Sequence, residues 1–249
     1  MGVFKNNLPA FIFDMDDTLY ERHVPFMQAC NKIFGGKIDV DSRLLFQKFT
    51  RRGNEVFEAS MNGTISMEEM WIYRIRHALK DIQIEISPQE ALEFQRLYDW
   101  YQHHIELSGV MTELFGWCKE KGITLGIITN GTSEHQRMKF HALGLGRWIP
   151  EERLLVTGDI GINKPDPAVF QEAVRRMRLD LRETWYVGDT YEHDIAGAKA
   201  AGWNTVWLDR GKREEGLPGD AADETVHTEE ELQACIRTIY YIYYNANKS

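Results

Sequence analysis

The sequence predicts an α/β fold, a Rossmann-like parallel sheet core with an inserted α-helical cap domain. Two observations carry this. Short apolar runs alternate with helix-like segments, the pattern of βαβ units. A long stretch of helical texture, residues 24–104, separates the first apolar run from the second. A third observation says where a site belongs. Each run ends in polar, often acidic residues, and open α/β sheets bind ligands at the carboxyl ends of their strands.

In chain order, Ala10–Phe13, Ile123–Ile128, Arg153–Val156, Thr184–Val187 and Asn204–Leu208 read as buried strands. They finish in Asp14, Thr129–Asn130, Thr157–Gly158–Asp159, Gly188–Asp189 and Asp209. Helices are expected over Val110–Glu120, Ser133–Leu143, Pro167–Met177 and Thr190–Ala201. Gly211–His227 is Gly- and acid-rich and reads as a loop. Thr228–Asn245 follows as a last helix, with Thr228 and Glu231 as its capping box. Within the insertion, Ser66–Glu69 and Ser87–Glu90 are capping boxes, the second with Pro88 at the first helical position. Met67, Met70, Trp71, Ile75 and Leu79 recur on one helical face, and Ala91, Phe94, Tyr98 and Tyr101 on the next. Both stripes are expected to pack in a helix-bundle core. The expected domains are residues 1–21 with 106–249 for the α/β core and 22–105 for the helical cap.

Composition narrows the function classes. The 249 residues are 43% hydrophobic and 27% charged, which suits a globular chain that buries a core, and the formal net charge is −9. Nucleic-acid and membrane-surface binders use basic patches, so neither is expected as a partner. Cys30, Cys118 and Cys235 are scattered and form no CxxC pair, which argues against a disulfide framework or a zinc site. No apolar run reaches the roughly 18 residues of a membrane span. The first residues lack a basic-then-apolar signal pattern, and MGVFKN carries Asn6 where a myristoylation site needs Ser or Thr. The expectation is a cytoplasmic protein, monomer or dimer.

The stretch AFIFDMDDTLY places Asp14, Asp16 and Asp17 at the end of an apolar strand. In extended chain, residues two apart face the same way, so Asp14 and Asp16 meet at one point. Two carboxylates there resist joint ionisation unless a cation lies beside them. Oxygen ligands suit Mg²⁺, which keeps several waters and takes one or two carboxylates plus a substrate phosphate. Asp189, at another strand end, offers a further oxygen.

Four stretches in this order, FIFDMDDTLY, LGIITNGT, GINKPDPAVF and WYVGDTYEHDIAGAKAAG, resemble the four motifs of the haloacid dehalogenase-like (HAD) hydrolase superfamily. The insertion resembles that of members whose helical cap lies between the first and second motifs. The resemblance implies that Asp14 is a nucleophile that becomes an aspartyl-phosphate. It implies that Asp16 is the general acid/base, with a backbone carbonyl on the metal, and that Thr129, Asn130 and Lys164 hold the phosphoryl group. Asp189 matches a direct Mg²⁺ ligand, and Asp194 matches a supporting acid behind it. The commonest family form has Gly where this chain has Asp17.

The resemblance implies a Mg²⁺-dependent phosphatase acting on a small phosphorylated metabolite. A phosphomutase shares its intermediate. A 2-haloacid dehalogenase needs neither the metal nor an acid two residues after the nucleophile. A non-catalytic phospho-accepting signalling module lacks the cap. Burial and a neighbouring acid are expected to favour the protonated form of Asp16 that departure of an alcohol requires. Arg22, His23, Arg51, Arg52 and Asn54 are candidate substrate contacts from the cap. Asp159 reads equally as site or loop. The His103–His104 pair reads as solvated, since adjacent helical residues point apart, and Tyr240, Tyr241, Tyr243 and Tyr244 as packing or a subunit contact.

Overall fold

In the computed structural model, which describes residues 8–35, 38–211, 222–246 and 248, six parallel strands form one sheet. They are β1 (Ala10–Phe13), β2 (Thr124–Thr129), β3 (Leu154–Val156), β4 (Thr184–Gly188), β5 (Asn204–Leu208) and β6 (Glu224–Val226), in the order β3-β2-β1-β4-β5-β6. Every residue of β1 is buried, as a parallel strand covered on both faces requires. Its register is shared with both neighbours: Phe13 pairs with Ile127 of β2 and with Val187 of β4. The chain runs outward through β2 and β3 and then returns to the other side of β1 at β4. The site-bearing crevice of such a sheet lies at this reversal, beyond the carboxyl ends of β1, β2 and β4.

The α/β unit comprises Met1–Tyr20 and Glu106–Ser249. Its helices are α5 (Gly109–Glu120), α6 (Ser133–Ala142), α7 (Pro167–Met177), the short α8 (Gly197–Ala200) and α9 (Glu229–Ala246). Pro167 opens α7, where its missing N–H is harmless, and Asp166 caps it by accepting from Ala168 N at 2.9 Å. One face of the sheet packs Phe170, Tyr186 and Trp203 in edge-to-face contacts of 5.2–6.1 Å, with Ile12, Ile128 and Leu155 around them. The phenol of Tyr186 leaves this cluster at its tip and donates to Ile128 O at 3.0 Å.

The helical unit spans Glu21–Ile105 and contains α1 (His23–Phe34), α2 (Ser42–Met61), α3 (Met67–Lys80) and α4 (Pro88–Gln102). Both expected capping boxes form, with Ser66 and Glu69, and Ser87 and Glu90, bonding reciprocally. Phe26 is the centre of its core. Its ring lies 4.8 Å from Phe49, 5.4 Å from Phe46 and 5.5 Å from Phe94.

Several sequence expectations need correction. The loop expected over 211–227 contains a sixth strand, β6. Three residues with two of them exposed give no apolar run, and their strand character comes from pairing with β5. Residues 212–221 of that loop, and Asn6, lie outside the described residues. The helix expected at Thr190–Ala201 begins as a π-turn, Tyr191–Ala196, before becoming α8. Met67 is exposed, whereas Met70, Ile75 and Leu79 are buried. It occupies the first turn of α3, before the stripe reaches the core. Among the described residues, no helix is long and apolar enough to cross a membrane.

Candidate active site

Asp14 leaves β1 with its backbone still in the sheet, donating from N to Val187 O at 2.8 Å. Its side chain is buried and lies against Lys164, with Nζ 2.7 Å from Oδ1. The same ammonium donates to Asp194 Oδ1 at 2.6 Å and to the Tyr186 hydroxyl at 2.8 Å. Lys164 is itself buried, so it is a cation that the fold fixes in place. Asn130 holds the loop that carries it. The amide donates to Lys164 O at 3.1 Å, and Lys164 N donates back to Oδ1 at 2.9 Å. The Asn130 side chain therefore anchors the backbone of Lys164.

Asp14, Asp189 and Asp194 bring one carboxylate oxygen each within 4.8 Å of one another. An all-oxygen, all-carboxylate set suits a hard divalent cation such as Mg²⁺. The electrostatics agree. Burial pushes the Asp14 carboxyl up to about 8, with Lys164 pulling it back and Asp194, Asp189 and Asp16 adding to the rise. Three acids with one ammonium between them lack positive charge, and a metal ion supplies it. For Lys164, burial favours the neutral amine, but Asp14 and Asp194 outweigh it and hold the ammonium well above its usual range.

Asp194 accepts from Lys164 on Oδ1, which lies 3.4 Å from the Tyr186 hydroxyl oxygen, and from Thr190 N at 3.0 Å on Oδ2. Its place behind the ammonium matches the supporting position expected for it. It fits there because residue 188 is glycine, where an added Cβ would lie 2.4 Å from the Asp194 Cβ. Asp189 ends β4 with its carbonyl bonded by Trp207 Nε1 at 3.0 Å and its carboxylate near the Thr18 hydroxyl at 3.4 Å.

Thr129, at the end of β2, is 1% exposed, and its hydroxyl has no hydrogen-bond partner. A buried unpaired hydroxyl costs free energy, about 1–3 kcal/mol in mutational data, unless a ligand satisfies it. Asp17 is buried with a positive φ of 62°. That left-handed turn accounts for the glycine commonest at this position of the family, and Asp is among the residues that tolerate it.

Asp16 departs from expectation. Its carboxylate lies outside the acid cluster and faces a cation. Lys139 Nζ is 2.8 Å from both oxygens, Tyr20 donates its hydroxyl to Oδ1 at 2.6 Å, and Gln136 Nε2 lies 3.3 Å from Oδ2. An ammonium joins the expected acidic neighbourhood, in which the Asp16 charge still adds to the rise of the Asp14 carboxyl. Lys139, Gln136, Tyr20 and Tyr186 did not stand out in the sequence. The one available signal was Gln136 and Lys139 three apart on the helix after Asn130, two polar residues on a face that turns inward.

The other candidates fall elsewhere. Asp159 pairs with Arg137 at 2.8 Å and is not part of the cluster. His103 and His104 are exposed, each with Nδ1 on a backbone carbonyl one turn back, so they form no metal pair. Arg52 forks onto Asp81 and Glu55, and Arg51 lies 3.7 Å from Glu55. Tyr240 packs on Trp117 at 5.1 Å, while Tyr241 is half exposed.

A buried aspartate facing a fixed lysine and a cation-sized acid cluster at the reversal point of a parallel sheet define a class: Rossmann-like enzymes built on an aspartate. The family model of haloacid dehalogenase-like hydrolases matches residues 8–202, and the chain belongs to that family. A phosphoserine phosphatase of Thermus thermophilus is 28% identical over 236 residues, 84% of this chain and 91% of that protein. A ribulose-1,5-bisphosphate 5-phosphatase of Halopiger xanaduensis is 30% identical over 239 residues, 92% and 95% of the two chains. A HAD hydrolase of Bacillus subtilis, solved bound to magnesium, has a similar fold, with a TM-score of 0.65 and 21% identity over 92% of this chain and 98% of that one.

Proposed function

We propose that this protein is a Mg²⁺-dependent phosphatase that hydrolyses a small phosphorylated metabolite through an aspartyl-phosphate on Asp14, with residues 22–105 as its cap. The observation that carries the reading is Asp14 itself, a buried carboxylate in contact with Lys164 and within reach of Asp189. The two relatives just described, both named as phosphatases of small phosphate esters, support it.

Asp14, Asp189 and the Asp16 carbonyl would hold the metal. When bound, Mg²⁺ neutralises charge on the phosphoryl oxygens and on the acid cluster. A carboxylate approaching a phosphate dianion meets repulsion of about 4 kcal/mol per unit pair at 4 Å and an effective dielectric near 20. Lys164 offsets part of this by placing a fixed ammonium beside the attacking oxygen. The Thr129 hydroxyl donates to a phosphoryl oxygen and so acquires the partner it lacks. Asp14 Oδ attacks phosphorus as the ester P–O bond breaks, and Asp16 delivers a proton to the departing alkoxide. In the second half, Asp16 takes a proton from water as that water attacks phosphorus. The Asp14–phosphorus bond breaks, returning free carboxylate and inorganic phosphate.

Phosphate release from p-nitrophenyl phosphate and a panel of phosphometabolites, with Mg²⁺ or with EDTA, tests the reading. Metal-dependent release that Asp14→Asn abolishes is the expected result. Undiminished turnover in Asp14→Asn overturns the nucleophile. Metal-independent halide release from 2-chloropropionate points to a dehalogenase, and phosphoryl return to an added sugar phosphate points to a mutase.

A further inference from the structure

We infer that Lys139 is a positioning residue for the acid step. Together with Tyr20 it fixes the orientation in which Asp16 meets the leaving group, and this rests on the acid/base role of Asp16 given above.

The argument begins with burial. Lys139 is 3% exposed, although it lies on α6, a helix whose neighbours Ser133, Glu134 and His135 all follow a surface turn. A lysine is rarely buried fully unless paired. Its ammonium bisects one carboxylate, 2.8 Å from each oxygen of Asp16. This symmetric contact fixes the plane of the carboxylate as well as its position.

The remaining lone pairs are occupied from two other directions. Tyr20 reaches Oδ1 at 2.6 Å from four residues along the same chain, where Asp16 and Tyr20 also form a backbone bridge. Gln136, one turn before Lys139 on α6, lies 3.3 Å from Oδ2 and donates to Asn130 O at 2.8 Å. Donors from β1's exit turn and from α6 thus reach both oxygens of Asp16, at 2.6–3.3 Å. Asp16 is held by Tyr20, Gln136 and Lys139, whereas Lys164 is bonded to Asp14 and Asp194. An acid that must meet a departing oxygen within hydrogen-bond reach gains from being held to a fraction of an ångström. The arrangement separates two tasks. Lys164 serves the phosphoryl side through Asp14, and Lys139 serves the leaving-group side through Asp16.

A device that acts on the leaving-group side makes a distinctive prediction. Its loss harms poor leaving groups, which need the proton, more than good ones. Phenyl phosphate and p-nitrophenyl phosphate are close in size but differ in leaving-group basicity. The value of kcat/KM reports steps up to release of the phenol, so slow hydrolysis of the aspartyl-phosphate does not mask the effect. Lys139→Arg, Lys139→Met, Tyr20→Phe and Asp16→Asn are compared with the native protein at saturating Mg²⁺, with folding checked by circular dichroism.

The expected result is that Lys139→Met loses about tenfold or more in kcat/KM on phenyl phosphate beyond its loss on p-nitrophenyl phosphate. Tyr20→Phe should show a smaller split in the same direction, and Lys139→Arg should recover part of it. Equal losses on both substrates, or none, in the folded variants overturn the inference. If Lys139→Met does not fold, Tyr20→Phe and Lys139→Arg decide by the same criterion. A leaving-group split in Asp16→Asn without one in the Lys139 and Tyr20 variants removes the positioning role alone. Native activity in Asp16→Asn removes the acid assignment beneath it.

Discussion

The two units of this chain share an apolar, ring-rich core and differ in what else they bury. Among the described residues, the helical unit buries the polar side chains Gln95 and Gln102, while every buried aspartate and lysine belongs to the α/β unit. The core of the helical unit is a cluster of Phe26, Phe34, Phe49, Phe94 and Tyr98 over apolar helix faces. The α/β unit places Lys164, Asp14 and Asp194 in contact below its surface, a grouping that costs solvation and is compensated only by close geometry. The lesson is a division of labour. Both units bury rings, but only the α/β unit buries aspartate and lysine among the described residues, and most of those charges fall at the candidate site. The helical unit exposes Phe57, Met61, Met67 and Trp100, and the α/β unit exposes Ile162, Leu181, Tyr241 and Ile242.

The largest expected effect tests the chemistry of the α/β unit. Asp14→Asn should lower phosphate release by on the order of a thousandfold or more. The metal-free variant should also melt no lower than the native protein, because burial disfavours the ionised form of the carboxyl it removes and raises it to about 8 even beside Lys164. A melting temperature that falls with activity would make Asp14 a structural residue.

Lys164→Met comes next. It leaves Asp14 and Asp194 buried without their ammonium, and breaking a buried pair costs about 3–5 kcal/mol. For a chain of this length that corresponds to a fall of about 10 °C in Tm, and Mg²⁺ should restore part of it. A neutral substitution would mean that the acid cluster is solvated.

Phe26→Ala probes the other unit, where loss of the central ring should cost about 3–5 kcal/mol. Cys30 lies in the same cluster, and burial raises its thiol pKa, so in the native protein it should react slowly with DTNB at pH 8. Cys118 of the α/β unit is raised to about 12, chiefly by burial. The variant should speed labelling of Cys30 and leave Cys118 unchanged. Equal acceleration at both sites would show that the units open as one.

A smaller effect follows from protonation. With its carboxyl raised to about 8 from an ordinary value of 3.8, folded Asp14 keeps a proton that the unfolded chain releases. Its contribution to metal-free stability is therefore present at low pH and is lost as pH rises through about 8. In EDTA, the native Tm should fall between pH 6 and pH 9 more steeply than that of Asp14→Asn. Mg²⁺ should raise Tm more at pH 9 than at pH 6, since metal and proton compete for the same oxygen. Smallest of all is Arg52→Ala on the helical unit. Its ion pairs with Asp81 and Glu55 are surface pairs, and the Tm should not move measurably.

Much of this could be read from the residues. Five strands, the capping boxes and the placement of Asp14, Asp189 and Lys164 at loop ends follow from apolar runs, caps and motif order. The edge strand β6 was hidden because three residues with two exposed have no hydrophobic signature. The second role of Asn130 was also hidden, because a side chain that staples a loop thirty-four positions away has no local signal. Lys139 was hidden for a related reason. A lone lysine on a polar helix looks solvated until the helix is docked.

The sequence by itself determined the order of strands and helices, the chemistry available at each strand end and the family. These depend on local periodicity and on residue type, which survive in one dimension. Only the tertiary structure decided which charges share a burial site. It set Lys164 between two aspartates, brought Lys139 onto Asp16, and left the Thr129 hydroxyl without a partner. Electrostatic energies depend on distance and on exclusion of water, and neither exists until strands far apart in sequence lie side by side.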